Sequence, residues 1–267
     1  MHYDPIKRTL GGVFNSAFLR KLFYNLLDLL LLRTWHFQRE LRAWMKNNVG
    51  KTTILDAGMG FGQYSFYMSK KVPNSSILAV DVKQEQVDDC TRFFKRIGKP
   101  NVEFTVADLV KYNKPDTYNL ILSVDVMEHI LEDIQVFQNF HSSLKKGGML
   151  LISTPSDQGG SDVHSDGETS FIEEHVRDGY NVKEIEDKLK STGFSKIEVL
   201  YSYGTPGKIS WKLSMKYPIL MLGASKLFFV ILPFYYLAVY PFAFVLNYID
   251  TYSVHKTGTG LIVKAFK

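Results

Sequence analysis

Residues 53–62 read Thr-Ile-Leu-Asp-Ala-Gly-Met-Gly-Phe-Gly, an apolar run closed by Asp56 and followed by alternating Gly58, Gly60 and Gly62. Glycine accepts positive φ and lets a ligand approach bare backbone. The helical pattern that follows, Tyr64 to Lys71, adds a helix N-terminus with unpaired N–H groups and a favourable dipole for an anion. A second acid, Asp81, ends the next apolar run, Ile77 to Val80, and Val82 stands just beyond it. A carboxylate roughly 20 residues past such a turn can accept both hydroxyls of a ribose. This spacing predicts a strand–turn–helix that holds a nucleoside; a tight turn without a ligand is the plainer alternative. The order G-x-G-x-G departs from the dinucleotide pattern G-x-G-x-x-G, which argues against NAD.

Three further groups fall at the ends of later apolar runs. Asp108 and Leu109 follow Val106-Ala107. Asp108 could accept a hydrogen bond from an adenine amino group while Leu109 packs on the ring, or Asp108 could simply cap a turn. Leu122-Ser123-Val124-Asp125-Val126-Met127-Glu128-His129 brings Val124, two acids and a histidine together. Imidazole titrates near neutral pH, so His129 is a candidate base for an acceptor that must lose a proton; a helix cap is the structural alternative. Leu144-Lys145-Lys146-Gly147-Gly148 marks a helix end and a turn into another strand.

Together these motifs resemble the class I methyltransferases that use S-adenosylmethionine (SAM), over roughly residues 50–200. The resemblance implies that Asp56, Gly58, Gly60 and Gly62 cradle the amino-acid end of SAM. Asp81 and Val82 would take the ribose side, Asp108 and Leu109 the adenine, and Val124 the floor of the site. Arg39, ahead of the first strand, is a candidate partner for the cofactor carboxylate. Residues 123–129 are similar to the Asp/Glu-x-x-Glu-His segment of the quinone-biosynthesis O-methyltransferases, with Asp where that group often has Glu. That likeness implies Mg²⁺ held by Asp125, Glu128 and His129 against an acceptor oxygen, with His129 and Glu128 catalytic. His175 and Arg177 precede a helix where related enzymes touch acceptor or cofactor; both could equally be solvated loop residues. Methyl transfer from a sulfonium asks the protein chiefly for positioning and desolvation.

The elements that must hold these groups follow from periodicity. Strands are expected at 52–56, 77–81, 102–106, 118–124, 149–154, 196–203 and 260–266, with helices at 63–71, 84–97, 131–145 and 182–192. Strands alternating with helices predict an α/β fold: a Rossmann-like, seven-stranded, mostly parallel sheet with helices on both faces. Residues 156–180 are polar and read as a loop beside the acceptor site. Residues 13–46 read as one amphipathic helix, a lid over the site that also touches lipid or merely covers the core.

Charge is unevenly distributed. Residues 1–50 hold eight Lys/Arg against three Asp/Glu, and residues 204–257 five Lys against one Asp, so these flanks carry +5 and +4 of a net +5. The chain divides accordingly into a basic N-terminal segment 1–50, a SAM-binding domain 51–203, an apolar insertion 204–257 and a final strand 258–267. Cation-rich flanks that also carry long aliphatic runs favour an anionic membrane surface over nucleic acid. A single cysteine, Cys90, rules out an intrachain disulfide and suits a reducing compartment. The N-terminus shows no signal-peptide pattern. A cytoplasmic protein at the inner face of a membrane is expected.

Leu227 to Ile249 carries no charged residue. It is long enough to span a bilayer, yet strands of one sheet are expected before and after it, so the chain must enter and return or never cross. Pro233 and Pro241 are expected to divide the run into short pieces of an interfacial hairpin. The reading is a methyltransferase acting on a small hydrophobic, membrane-derived acceptor, lipid-like or prenylated, with O-methylation favoured. The alternative is a soluble methyltransferase of a polar metabolite or sugar, with the insertion as a homodimer interface.

Overall fold

The computed structural model of the chain describes residues 16–159, 176–225 and 227–267. The start of the expected N-terminal helix, most of the 156–180 loop with His175, and Lys226 lie outside the described residues. Seven strands, β1 (Thr53–Ala57), β2 (Ser76–Asp81), β3 (Val102–Val106), β4 (Tyr118–Val124), β5 (Leu144–Pro155), β6 (Lys196–Ser202) and β7 (Gly260–Phe266), form one sheet. Their order is β3-β2-β1-β4-β5-β7-β6. The first five run parallel, and β7 lies antiparallel between β5 and β6. This is the Rossmann-like architecture that the alternation of strands and helices implies.

Successive side chains point to opposite faces of a strand, and here both faces are covered, so the central strands are apolar throughout. Ile54, Leu120, Leu122 and Leu151 join one core with Phe66 and Phe93. Leu55, Ile121, Leu150 and Ile152 join the other with Phe137 and Leu189. Helices α1 (Ala17–Leu30), α2 (Leu32–Asn47), α3 (Gln63–Lys71) and α4 (Gln84–Arg96) cover the first; α5 (Asp133–Ser143) and α6 (Val182–Ser191) cover the second.

Three expectations change. The N-terminal segment is two helices, because Leu31 is extended (φ −88°, ψ 109°). The break lets α2 bury Phe37, Leu41 and Trp44 while α1 leaves Phe18, Leu22, Leu26 and Leu29 exposed. No glycine or proline marks it. Strand β5 begins at Leu144 rather than 149, and the Lys145–Gly148 turn lies inside it as a register shift against β4. Most notably, Pro233 and Pro241 do not divide the apolar run. Residues Phe228–Tyr252 form one continuous helix, α9, with both prolines inside.

Helix α9 is the return arm of a hairpin. The outgoing arm is α7 (Thr205–Trp211), a π-helical turn Lys212–Lys216, and α8 (Tyr217–Ala224). Each interior proline removes one helical hydrogen bond and crowds the preceding turn. Tyrosines flanking Pro233 and Pro241 provide cross-links instead: Tyr235 donates to the Leu213 carbonyl (2.7 Å) and Tyr236 to that of Ser214 (2.8 Å). Ser210 Oγ donates to the Ala243 carbonyl at 3.1 Å. The base of the hairpin is clamped by buried Asp250. Its carboxylate accepts from the Tyr203 and Gly207 amides (3.1 and 2.9 Å) and contacts His36 Nε2 at 2.9 Å and His255 Nε2 at 3.2 Å.

Candidate functional site

The carboxyl ends of β1, β2 and β4 meet in one crevice. The Gly58 and Met59 amides both donate to the Val80 carbonyl at 2.9 Å, which locks the first turn against β2. A Cβ on Gly58 would lie 2.3 Å from Val126 Cγ2, so only glycine allows β1 and the β4 segment to approach this closely. At Gly60 (φ +50°) nothing lies within 4 Å of where a Cβ would stand, so the loop offers bare backbone to open space. Gly62 (φ +78°) starts α3. Asp81 is held on both oxygens, by the Gly60 amide (3.0 Å) and by that of Lys83 (3.0 Å). Its remaining lone pairs have a fixed direction, as ribose hydroxyls require. Val82, 62% exposed, presents an apolar surface beside it.

Asp56 lies beneath this loop rather than in it. It is buried, accepts from Ser65 Oγ at 2.6 Å, and supports the turn from below. Burial, aided by the charge of Asp81, lifts its carboxyl to about 6. At the end of β4, Asp125 adopts φ +52°, pinned by its amide on the Ser153 carbonyl (2.9 Å). Its carboxylate pairs with the Arg33 guanidinium of α2. Arg33 also donates its backbone amide to the Tyr203 hydroxyl at 3.1 Å. Glu128, 1% exposed, accepts from Thr154 Oγ1 at 3.1 Å. Burial first, then the charge of Asp125, pushes its carboxyl up to about 8. Val124 is half-buried against the first core, and His129 ends a short 3₁₀ turn, its amide on the Val126 carbonyl at 3.0 Å. Asp81 and Asp125 thus raise the acids beside them. A crevice of this polarity suits a cation, such as a sulfonium with an ammonium group, better than a pyrophosphate.

Several residues expected at this site do not converge on it. Arg39 holds Glu40 (2.7 Å) and the Thr251 carbonyl at the end of α9, not the cofactor loop. Leu109 is buried in the second core, so its side chain does not offer a face to a ring. Asp108 accepts from the Val110 amide at 3.0 Å, the turn-cap arrangement, with its carboxylate still partly exposed. Arg177 binds Asp133 and the Ile130 carbonyl (2.7 Å), tying its segment to α5. Glu128 is sealed away from any acceptor and acts on its neighbours instead. Sequence reasoning missed the pair that clamps the glycine loop from behind. Arg20, fully buried, donates to the Phe61 carbonyl (3.0 Å) and to Asp89 (2.7 Å), and the Tyr24 hydroxyl donates to the same carbonyl. A cation inside an apolar helical stripe was the signal.

The expected magnesium site does not fit. The Asp125 carboxylate is already engaged by the Arg33 guanidinium, whose positive charge opposes a second cation there, and Glu128 keeps its proton at neutral pH, whereas Mg²⁺ needs free, ionised oxygen ligands. Among the described residues no three His, Cys, Asp or Glu side chains are grouped as a cation's ligand set.

Residues 54–148 match the model of a family described as a methyltransferase domain. Malonyl-acyl-carrier-protein O-methyltransferase 1 of Ilyobacter polytropus is 29% identical over 120 residues, 45% of this chain and 44% of that one. Phosphoethanolamine N-methyltransferase 1 of Zea mays is 31% identical over 146 residues, 54% of this chain and 28% of that one. The chain thus spans less than half the length of these relatives. Among solved structures, phosphoethanolamine N-methyltransferase 2 of Haemonchus contortus in complex with SAM superposes with a TM-score of 0.61 at 19% identity, over 92% of this chain and 60% of that one. That likeness is one of fold.

Proposed function

We propose that this chain, which carries a class I SAM-dependent methyltransferase domain, transfers a methyl group to a hydrophobic acceptor taken from a membrane. SAM supplies a methyl activated on a sulfonium. The chain's part is to hold the nucleoside between the Gly58–Gly62 loop and Asp81 and to keep the crevice anionic and dry. Asp125 and His129, at the end of β4, are the groups within the site that can take a proton from a hydroxyl, phenol or carboxyl. Arg33, through its pair with Asp125, orients that carboxylate. An oxygen acceptor therefore fits best, in line with the likeness of residues 123–129 to the quinone O-methyltransferases. The relatives act on oxygen and on nitrogen, so the acceptor atom is part of the proposal.

One observation carries the membrane half. Along α9, Leu237, Val230, Phe234 and Phe242 are 78, 71, 71 and 70% exposed, on a helix long and apolar enough to cross a bilayer. Monomeric soluble proteins rarely expose so large a contiguous apolar face. Strands β6 and β7 nevertheless pair with each other on either side of the hairpin, so it must enter and leave by one face. It therefore lies in or dips into the interface, with Lys208, Lys212 and Lys216 suited to the headgroups and the domain on the cytoplasmic side.

Vesicle co-sedimentation of the full chain and of a Val230→Asp/Leu237→Asp/Phe242→Asp variant tests this, with SAM titrated by calorimetry. The variant should keep its SAM affinity and lose both vesicle binding and activity on an apolar acceptor. If the parent chain elutes as a clean dimer without detergent and ignores vesicles, the hairpin is a subunit interface and the acceptor is polar.

A further inference from the structure

A cleft of about 500 Å³ opens between α1, α2, α3 and the C-terminal half of α9. No residue of the glycine loop or of the strand-end acids lines it. Its lining combines the cations Arg42, Lys70 and Lys71 with Trp35, Tyr67 and Phe244. Trp35 and Phe244 meet edge to face at 4.9 Å between centroids, which joins α2 to α9 across the cleft.

Among the described residues the lining carries one carboxylate, Asp28, against these three cations, and it forms no ion pair with them. Arg42 reaches the Tyr252 hydroxyl at 3.4 Å, and Lys70 sits over the Phe66 ring at 4.4 Å. Among the described residues none of the three has an acid within ion-pair distance. Asp28, the acid in the lining, is hydrogen-bonded by Gln63 Nε2 at 2.8 Å. Partial desolvation, and then Lys71, Lys99 and Lys21, hold the Lys70 ammonium below its ordinary value against the pull of Asp28. The cleft is a region of unbalanced positive potential, and it faces solvent.

Its edges are apolar. Leu29 lines the cleft and continues the exposed α1 stripe of Phe18, Leu22 and Leu26. Phe244 and Tyr248 line it from the other side and continue into exposed Val245 and Ile249. A free phosphate or a nucleic acid would use the cations and leave these edges without a purpose. A phosphate carrying acyl chains uses both. Arginine, lysine and tyrosine in this arrangement are the side chains that populate the headgroup layer.

We infer that this cleft binds the phosphate headgroup of an anionic phospholipid, with the acyl chains running out along α1 and α9. This rests on the reading that α9 enters the membrane interface. It gives that interface a second, charge-selective contact that shares no lining residue with the glycine loop or the strand-end acids.

The test compares vesicles of phosphatidylcholine with vesicles that also contain phosphatidylglycerol. The full chain should bind the anionic vesicles on the order of a hundredfold more tightly, as three surface cations would give. Arg42→Gln/Lys70→Gln/Lys71→Gln should fall back to the phosphatidylcholine affinity with unchanged SAM binding. Lys70→Arg/Lys71→Arg should keep the preference, and so should a control with exposed Lys146, Lys183 and Lys190 changed to glutamine. Equal losses in the cleft and control variants would overturn the proposal, because any basic surface would then suffice. So would release from anionic vesicles by glycerol phosphate at concentrations matching the lipid headgroup. If the chain binds phosphatidylcholine vesicles but the cleft variant keeps its preference, the proposal fails while the membrane reading stands. If the parent chain binds neither vesicle, both fail.

Discussion

At the carboxyl ends of β1 and β4, acids that favour water are held out of it; along α9, apolar side chains that favour burial are left in the open. Asp56 and Glu128 tolerate their burial because Ser65 and Thr154 donate to them and, for Glu128, because a carboxyl raised to about 8 keeps its proton at neutral pH. The surrounding two-layer core enforces that arrangement. No such enclosure accounts for the exposure of Leu237 or Phe242. The hairpin is cross-linked internally and clamped at its base, but its outer face is left uncovered by the described residues. Each region departs from what composition alone would favour, and such departures gather at functional sites. The difference lies in what sustains them: the fold in one case and, on the proposed reading, a membrane surface in the other.

The comparison can be pressed with substitutions of one kind in the two regions. Leu122→Ala, in β4 on the face covered by α3 and α4, should cost about 2–5 kcal/mol of unfolding free energy in a denaturant titration. A loss below about 1 kcal/mol would mean that the sheet is not the stable core. On the proposed reading Asp81→Ala removes a fixed carboxylate from the nucleoside, and SAM affinity by calorimetry should fall roughly a hundredfold, with little change in stability. Undiminished affinity would remove the crevice from consideration.

Glu128→Gln tests burial through pH. The folded chain holds the Glu128 proton to about pH 8, while the unfolded chain releases it near the ordinary value of 4.5. The stability this group contributes is therefore full below 4.5 and is lost as pH rises through 8. Thermal unfolding across pH 5–9 should show the parent chain losing on the order of 4 kcal/mol relative to the glutamine variant. Parallel curves would show that the carboxyl is not sealed. The smallest effect belongs to the hairpin: Leu237→Ala should change stability in solution by less than about 0.5 kcal/mol, since little is buried there. A loss of core-like size would mean that the exposed face is packed in solution, as in a dimer.

Much of the first region was legible in the sequence because its determinants are local. Alternating strand and helix periods place all seven strands within a few residues, apart from the early start of β5, and the Asp56–Gly62 and Asp81 spacing marks the crevice. What was not legible depends on partners distant in the chain. Arg33 meets Asp125 across the fold, and Arg20 reaches Phe61; neither pairing leaves a local pattern. Arg39, a reasonable candidate by position, is drawn instead to Glu40 and the end of α9. The break at Leu31 has no glycine or proline to announce it. The two prolines in α9 mislead in the opposite direction, because hairpin cross-links such as those of Tyr235 and Tyr236 are invisible to propensity.

The position of β7 has one more consequence. It slots between β5 and β6, yet it follows the whole apolar hairpin in the chain. During synthesis the hairpin must emerge before either neighbouring edge can be closed. A newly made chain therefore shows its greasiest segment while its sheet still gapes, and on the proposed membrane reading the bilayer would shelter it until the last strand zips the fold shut.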